Sequence, residues 1–263
     1  MAQPRFYIPD LAPGESPLPE DQDHHARNVL RMEHGDAAIA FNGRGLWGPG
    51  QLRLSKRSSC FVSEGDLTQD SPPWFRLTVA TAAPKADRAM QLVEQLSQIG
   101  VSRLVWIITD RGVAQPEADG GKMTRFRRLA VESAKQARRN FLMEILPPIS
   151  LRKFLVAPGD AVTEFLWTLP GTAQTLFDWT AGGISRREFH TAENPEKPPQ
   201  SSDHTAGFAP AVLIGPEGGW SDEEAALLSA HGNVHPVRLT PTILRIETAA
   251  AVAAAMLCTA WQK

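Results

Sequence analysis

Two bends near the carboxyl end constrain this chain more than anything else in it. The first lies in LIGPEGGWSDEEAALL, residues 213–228, where the apolar run Val212 to Ile214 has the character of a buried strand end and Gly215, Pro216, Gly218 and Gly219 follow at once. Glycine freedom and a fixed proline φ force an open turn there, with backbone that a ligand can approach closely. Ser221 then opens a helix, and Glu224 three residues on completes a capping-box pattern ahead of Ala225, Leu227 and Leu228. The second bend, Thr240-Pro241-Thr242, sits in LTPTILRIETAAAVAAAM, between a strand at Val234 to Leu239 and a long C-terminal helix from about Ile243. Strand, glycine-rich turn and capped helix is the arrangement of a nucleotide-type site in an open α/β sheet, and equally of a tight turn that binds nothing. No Lys-Ser/Thr pair follows the glycines and the G-x-G-x-x-G spacing is missing, which disfavours a triphosphate P-loop and a dinucleotide fingerprint.

Upstream, strands and helices alternate. Arg76 to Ala82 alternates as a strand, Asp87 to Ile99 carries Met90, Val93, Leu96 and Ile99 at helical spacing before Gly100, and Arg103 to Thr109 is the next strand. With a further strand at Thr163 to Leu169, this predicts an α/β domain built on a mostly parallel sheet. Residues 1–70 read differently: short strand-like runs at RFYI, Asp36 to Phe41, Leu46 to Leu54 and Cys60 to Glu64, one helical stretch at Asp23 to Arg31, and turn residues between them predict a small β-barrel. The Ser71-Pro72-Pro73 connection divides an N-terminal domain, 1–70, from a larger one, 75–263. Residues 180–208 are rich in Gly, Ser, Pro and Glu and long for a loop, so a mobile insertion is expected there, as a lid or as plain disorder.

Composition excludes several classes. There is no 18-residue apolar run to cross a bilayer, and MAQPRFYIPD lacks a signal-peptide pattern, so a cytoplasmic location is expected. Cys60 and Cys258 are the only cysteines and the histidines show no ligand spacing, so neither a disulfide framework nor a metal site is expected. The net charge of −2 argues against a nucleic-acid binder. Charge is uneven, however: Lys122, Arg125, Arg127, Arg128, Lys135, Arg138 and Arg139 stand against the single acid Glu132. Helical spacing puts Arg125, Arg128, Lys135 and Arg139 near one face of a helix from Lys122 to about Asn140, as a basic patch or simply a solvated face.

IGPEGGWSDEE followed by L-x-P-x-I-L-R-I-E-T-A closely resembles the C-terminal signature of the bacterial 16S ribosomal RNA uridine-N3 methyltransferases, the RsmE family of the SPOUT class. Lys85, Arg88, Gly100 and Val101 match the family's first helix, and Gln136 and Arg139 match its later A-x-E-Q-S/C-x-R pattern. The stretch from Asp23 to Arg31, with Gly35-Asp36 and Phe41 to Gly45, resembles the family's PUA-like RNA-binding domain.

The resemblance implies a C-terminal trefoil knot, a homodimer, S-adenosylmethionine as the only cofactor with no metal, and the 16S RNA of the small ribosomal subunit as partner. It assigns donor binding to Leu213, Ile214, Gly215, Pro216, Glu217, Gly218 and Gly219 on one wall, and to Leu239, Pro241, Leu244 and Thr248 on the other. Arg245 becomes the candidate to stabilise charge building on uracil oxygens, with Glu247 beside it, and a salt bridge is the alternative for both. Arg5, His25, Arg27, Arg31, Arg88, Arg111 and Arg139 become candidates for RNA contact. Four departures from the family pattern, Gln95, Lys135, Thr240 (where the family usually has glycine) and Thr242, leave open a catalytically impaired RNA-binding protein of the same fold. A different nucleotide-using enzyme is a third reading.

Overall fold

The computed structural model describes residues 3–55, 59–114, 120–158, 162–182 and 208–261. The chain divides into two units, Met1–Pro72 with Ala130–Leu142, and Pro73–Leu129 with Met143–Lys263.

In the first unit, short strands rich in small and aromatic residues pair into one mixed sheet. They are β1 (Arg5–Tyr7), β2 (Glu15–Pro17), β3 (Ala37–Phe41), β4 (Leu46–Leu54), β5 (Ser59–Ser63) and β6 (Thr68–Gln69), with helix α1 (Glu20–His24) widening into a π-turn at His25–Val29. The order is β1-β3-β4-β5-β2, with β6 on β4; only β1 and β3 run parallel. Period-two alternation aims Phe6, Ala38, Ala40, Leu52 and Phe61 into one core that Ala26 of the π-turn also enters. Gly50 is required where β4 meets β5, since a Cβ there would lie 2.2 Å from the Val62 carbonyl oxygen. The expected barrel thus takes the form of a six-stranded sheet whose path of five strands has no pairing between β1 and β2 among the described residues.

The unit also takes in part of the basic helix. That helix, α3 (Gly121–Gln136), stops short of Asn140; Arg138 turns the chain at a φ of 56°. Lys135 does not lie on a solvated basic face as its spacing suggested. It is buried, its Nζ 3.2 Å from Gln22 Oε1, 2.9 Å from Glu132 and 5.8 Å from the centre of the Phe6 ring. Asn140 is half-buried, donating to Asp70 Oδ2 at 2.7 Å and accepting from Arg5.

The second unit is the predicted parallel α/β sheet. Its strands are β7 (Thr78–Thr81), β8 (Arg103–Ile108), β9 (Glu144–Ser150), β10 (Glu164–Thr168), β11 (Pro210–Ile214) and β12 (Val234–Val237), ordered β12-β10-β11-β7-β8-β9 with every pairing parallel. Its further helices are α2 (Ala86–Ile99), α4 (Leu151–Val156), α5 (Leu176–Gly182), α6 (Asp222–Ala230) and α7 (Ile246–Trp261). Such a sheet is apolar on both faces because helices cover both. On one, Val105, Ile107, Phe165, Trp167, Ala211 and Leu213 pack with α4 and Leu228 of α6. For the other, α2 and α7 pack on one another and α7 meets β7 and β11, which accounts for the buried Leu92, Leu96, Ala250, Ala254 and Leu257.

Gly100 ends α2 in the left-handed region, φ 115°, as its position after the last periodic residue predicted. The sequence reading missed β9, which contains Pro147-Pro148; both prolines are tolerated because β9 is an edge strand. Of the expected insertion at 180–208, residues 180–182 close α5 and Phe208 bridges to Phe75, while 183–207 lie outside the described residues.

Candidate functional site

In a parallel sheet all strands deliver their following loops to one edge, and ligand sites collect there. Three such loops, after β10, β11 and β12, enclose a cavity of about 370 Å³. The two bends singled out in the sequence face one another across it: Ile214, Gly215, Pro216, Glu217, Gly218 and Gly219 on one side, Leu239, Pro241 and Leu244 on the other. Ile246 and Ala249 of α7 add apolar lining. The third wall, Thr168 to Gly171, was missed. Its Pro170-Gly171 pair, directly after a strand, repeats the proline-glycine signal of the other two bends and could have revealed it.

The first wall is built by a relay of hydrogen bonds. Ser221 caps α6 by accepting from the Glu224 N–H at 3.2 Å. The Glu224 carboxylate accepts from Ser221 N at 2.8 Å and, with its other oxygen, from Asp110 N at 3.0 Å. Ser221 Oγ donates to Asp110 Oδ2 at 2.5 Å. Arg111 Nη1 donates to the carbonyls of Gly218 at 3.2 Å and Trp220 at 3.0 Å. The predicted capping box therefore also ties the loop after β8 to the loop after β11. Gly215 has no room for a side chain: a Cβ would sit 2.7 Å from Trp220 Nε1, a buried indole nitrogen with no hydrogen-bond partner among the described residues.

The second wall is plainer. Thr240 Oγ donates to the Thr242 carbonyl at 2.8 Å and closes the bend. Arg31 and Arg138 are the only non-glycine residues with positive φ among those described, so Thr240 occupies ordinary backbone and no glycine is needed there.

The remaining site candidates are placed as follows. Leu213 is in the core and does not line the cavity; its carbonyl accepts from Thr168 Oγ at 2.8 Å. Thr248 is exposed and also off the lining. Arg245 is exposed between the lining residues Leu244 and Ile246. Glu247 is buried outside the lining, with Oε2 3.9 Å from Arg88 Nη1, and the same Arg88 nitrogen is 3.3 Å from Glu217. Arg88 thus joins α2, the first bend and α7, in place of the exposed cation that an RNA contact asks for. Arg111 is exposed, and its Nη1 donates to the two loop carbonyls.

In the first unit, Arg27 bonds Asp23 at 2.8 Å, the Ser55 carbonyl at 2.6 Å and Ser59. Arg5 is half-buried over the Phe41 ring, and burial, then the neighbouring Arg138, lower its pKa. Burial, then Lys135, also lowers that of His25. Arg31 is exposed at the left-handed turn that ends the π-turn, and Arg139 follows the end of α3. Among the described residues no group of three His, Cys, Asp or Glu could hold a metal ion, and no helix is long and apolar enough to cross a membrane.

Comparison with known proteins agrees with this geometry. An RNA methyltransferase domain model matches residues 71–258 and an RNA methyltransferase PUA domain model residues 18–64. The ribosomal RNA small subunit methyltransferase E of Synechocystis sp. is 26% identical over 90% of this chain and 70% of its own. Among solved structures, a methyltransferase of Legionella pneumophila in complex with bound SAM superposes with a TM-score of 0.78 at 27% identity, covering 99% of this chain and 98% of that one. The small subunit methyltransferase E of Neisseria gonorrhoeae shares the fold at a TM-score of 0.78 and 24% identity, over 99% of this chain and 98% of that one. With more than half its length matched by the methyltransferase model, and the PUA model ahead of it, the chain belongs to the RNA methyltransferase family, in its RsmE branch.

Proposed function

We propose that this protein transfers a methyl group from S-adenosylmethionine to N3 of one uridine in the 16S RNA of the small ribosomal subunit, acting as a homodimer with the knotted connection of its family. The observation that carries the reading is the meeting of the two bends around one cavity at the carboxyl edge of the parallel sheet. The residues suit the donor. Backbone groups of 215–219 and 239–241 offer donors and acceptors for adenine and ribose, Ile214, Leu239, Leu244 and Ile246 offer an apolar floor, and about 370 Å³ is within the usual range for a small-molecule site.

S-adenosylmethionine supplies an electrophilic methyl on a sulfonium. As the N3–methyl bond forms, the sulfur–methyl bond breaks and the sulfur keeps its electron pair, so what remains for the protein is alignment of N3 with that methyl and stabilisation of the uracil as its N3 proton passes to solvent water. Arg245, exposed beside the cavity and permanently charged, is assigned to the developing negative charge on the uracil oxygens. Glu247 acts at one remove, as a positioning residue through Arg88 and Glu217. The first unit, matched by the PUA model, holds the RNA, with His25, Arg31 and Arg139 as the contacts.

The test is mass spectrometry of small-subunit rRNA from a strain lacking this modification, incubated with the protein and S-adenosylmethionine. A single 3-methyluridine is expected, and Arg245→Ala should lower kcat by about 10²–10³. Full methylation by that variant removes Arg245 from the mechanism. Binding of rRNA without any transfer by the wild type sinks the enzymatic reading in favour of an impaired binder.

A further inference from the structure

A second cavity, of about 350 Å³, opens at the carboxyl ends of β7 and β8. Its walls are the loop after β7, the loop after β8, joined to it by a bridge between Ala83 and Ala114, and the first turns of α2 and α3. Met90 and Phe126 give it an apolar floor, and exposed Val113 an apolar rim. Lys122 and Arg125 project from α3, and Asp87 from α2. Among the described residues none of these three charges has an ion-pair partner.

From this arrangement, and resting on the methyltransferase reading above, we infer that the second cavity receives a nucleotide of the RNA substrate adjacent to the uridine being methylated. β7 lies next to β11 in the sheet and runs parallel to it, so the two cavities open side by side on the same edge. Arg88 on α2 reaches Glu217, and Arg111 in the loop after β8 reaches Gly218, so elements that wall the second cavity are tied to the lining of the first. A strand whose uracil lies at the mouth of the first cavity, against the donor held there, has its next nucleotides over the second.

The chemistry of the walls selects a nucleotide. Two cations on the opening turns of α3 favour a phosphate, and an apolar floor with an aromatic ring favours a base. The Asp87 carboxylate repels a bare anion and rewards a ligand that brings its own N–H donor, as a base edge does. Free inorganic phosphate satisfies only the cations.

The test uses the full-length protein and a single-stranded fragment of small-subunit rRNA containing the target uridine. The Lys122→Ala/Arg125→Ala double variant should bind this RNA about tenfold more weakly. Its plot of log K against log salt should be shallower by about 1.4, the loss of two phosphate contacts to a single strand. S-adenosylmethionine affinity and kcat should stay within twofold while KM for RNA rises. Asp87→Ala should also weaken RNA binding, and inorganic phosphate should not compete.

RNA affinity within twofold of wild type in the double variant overturns the inference, as does tighter RNA binding by Asp87→Ala. Equal losses of RNA and S-adenosylmethionine affinity overturn it too, since they mark a general disturbance of the sheet edge. Failure of the methyltransferase reading is separate: there the wild type itself transfers no methyl, whatever these variants do to RNA binding.

Discussion

The two bends that face each other across the donor cavity are built in opposite ways. From Gly215 to Ser221 the chain is held by a carboxylate that accepts two backbone N–H groups, a hydroxyl that bonds in both directions, and a guanidinium that takes two carbonyls. From Leu239 to Leu244, among the described residues, the Thr240 hydroxyl makes the only hydrogen bonds, both to Thr242, and Ile243 is 87% exposed. A small ligand gripped by backbone groups needs at least one wall whose N–H and C=O vectors are fixed before it arrives, because ordering them on binding weakens affinity. The first bend meets that need. The second is free to adjust, as a wall through which the donor enters and the base approaches must be.

That contrast ranks the consequences of mutation. The largest effect is expected for Glu224→Ala: it removes a buried carboxylate that accepts the part-buried N–H groups of Asp110 and Ser221 and takes away half of the capping box, which should cost about 1–3 kcal/mol of stability in urea denaturation. S-adenosylmethionine affinity measured by calorimetry at low temperature should fall more than tenfold in the same variant. If the donor binds it normally, the first bend is not a preformed wall. Arg111→Ala comes next. Its guanidinium is exposed and bonds neutral carbonyls, so the loss of stability should stay near 1 kcal/mol. Donor affinity should nonetheless drop about fivefold to tenfold, because Gly218 and Trp220 lose their anchor. A loss confined to RNA affinity, with donor binding intact, would return Arg111 to the role its sequence context first suggested.

The same contrast explains what the sequence could and could not disclose. Gly215, Gly218, Gly219, Ser221 and Glu224 are local signals, each fixing the backbone within a few residues, and together they located the first bend and the start of α6 correctly. The alternation of strand-like with helix-like segments likewise revealed the parallel sheet, and Gly100 the end of α2. What local pattern cannot carry is the destination of a long side chain. Arg88, Arg111 and Lys135 read as surface cations, yet their partners lie far along the chain at Glu217 and Glu247, at Gly218 and Trp220, and at Gln22. Spacing placed Lys135 on a basic stripe; its stem and ammonium are buried against Phe6, where Glu132 and Gln22 satisfy the charge. Pro147-Pro148 hid β9 because the tolerance of an edge strand for proline depends on strand order, which no window of sequence contains.

The smallest expected effect, and the sharpest test of the contrast, is at Thr240. The family places glycine there, and a glycine with positive φ would have made Thr240 a strained and damaging departure. The backbone is ordinary at this position, and the hydroxyl supplies the bend with its hydrogen bonds to Thr242. Thr240→Val keeps the shape and the β-branching while deleting those bonds at a partly exposed site, so stability should change by under about 1 kcal/mol. Donor affinity should fall by no more than about threefold, with the loss appearing in the off-rate, since a looser second wall releases its ligand sooner without changing encounter. Thr240→Gly, which restores the family residue but frees the backbone, should behave like the valine variant. If Thr240→Gly instead binds the donor at least tenfold more tightly than wild type, the threonine is a strained obstacle after all, and the second bend is as exacting as the first.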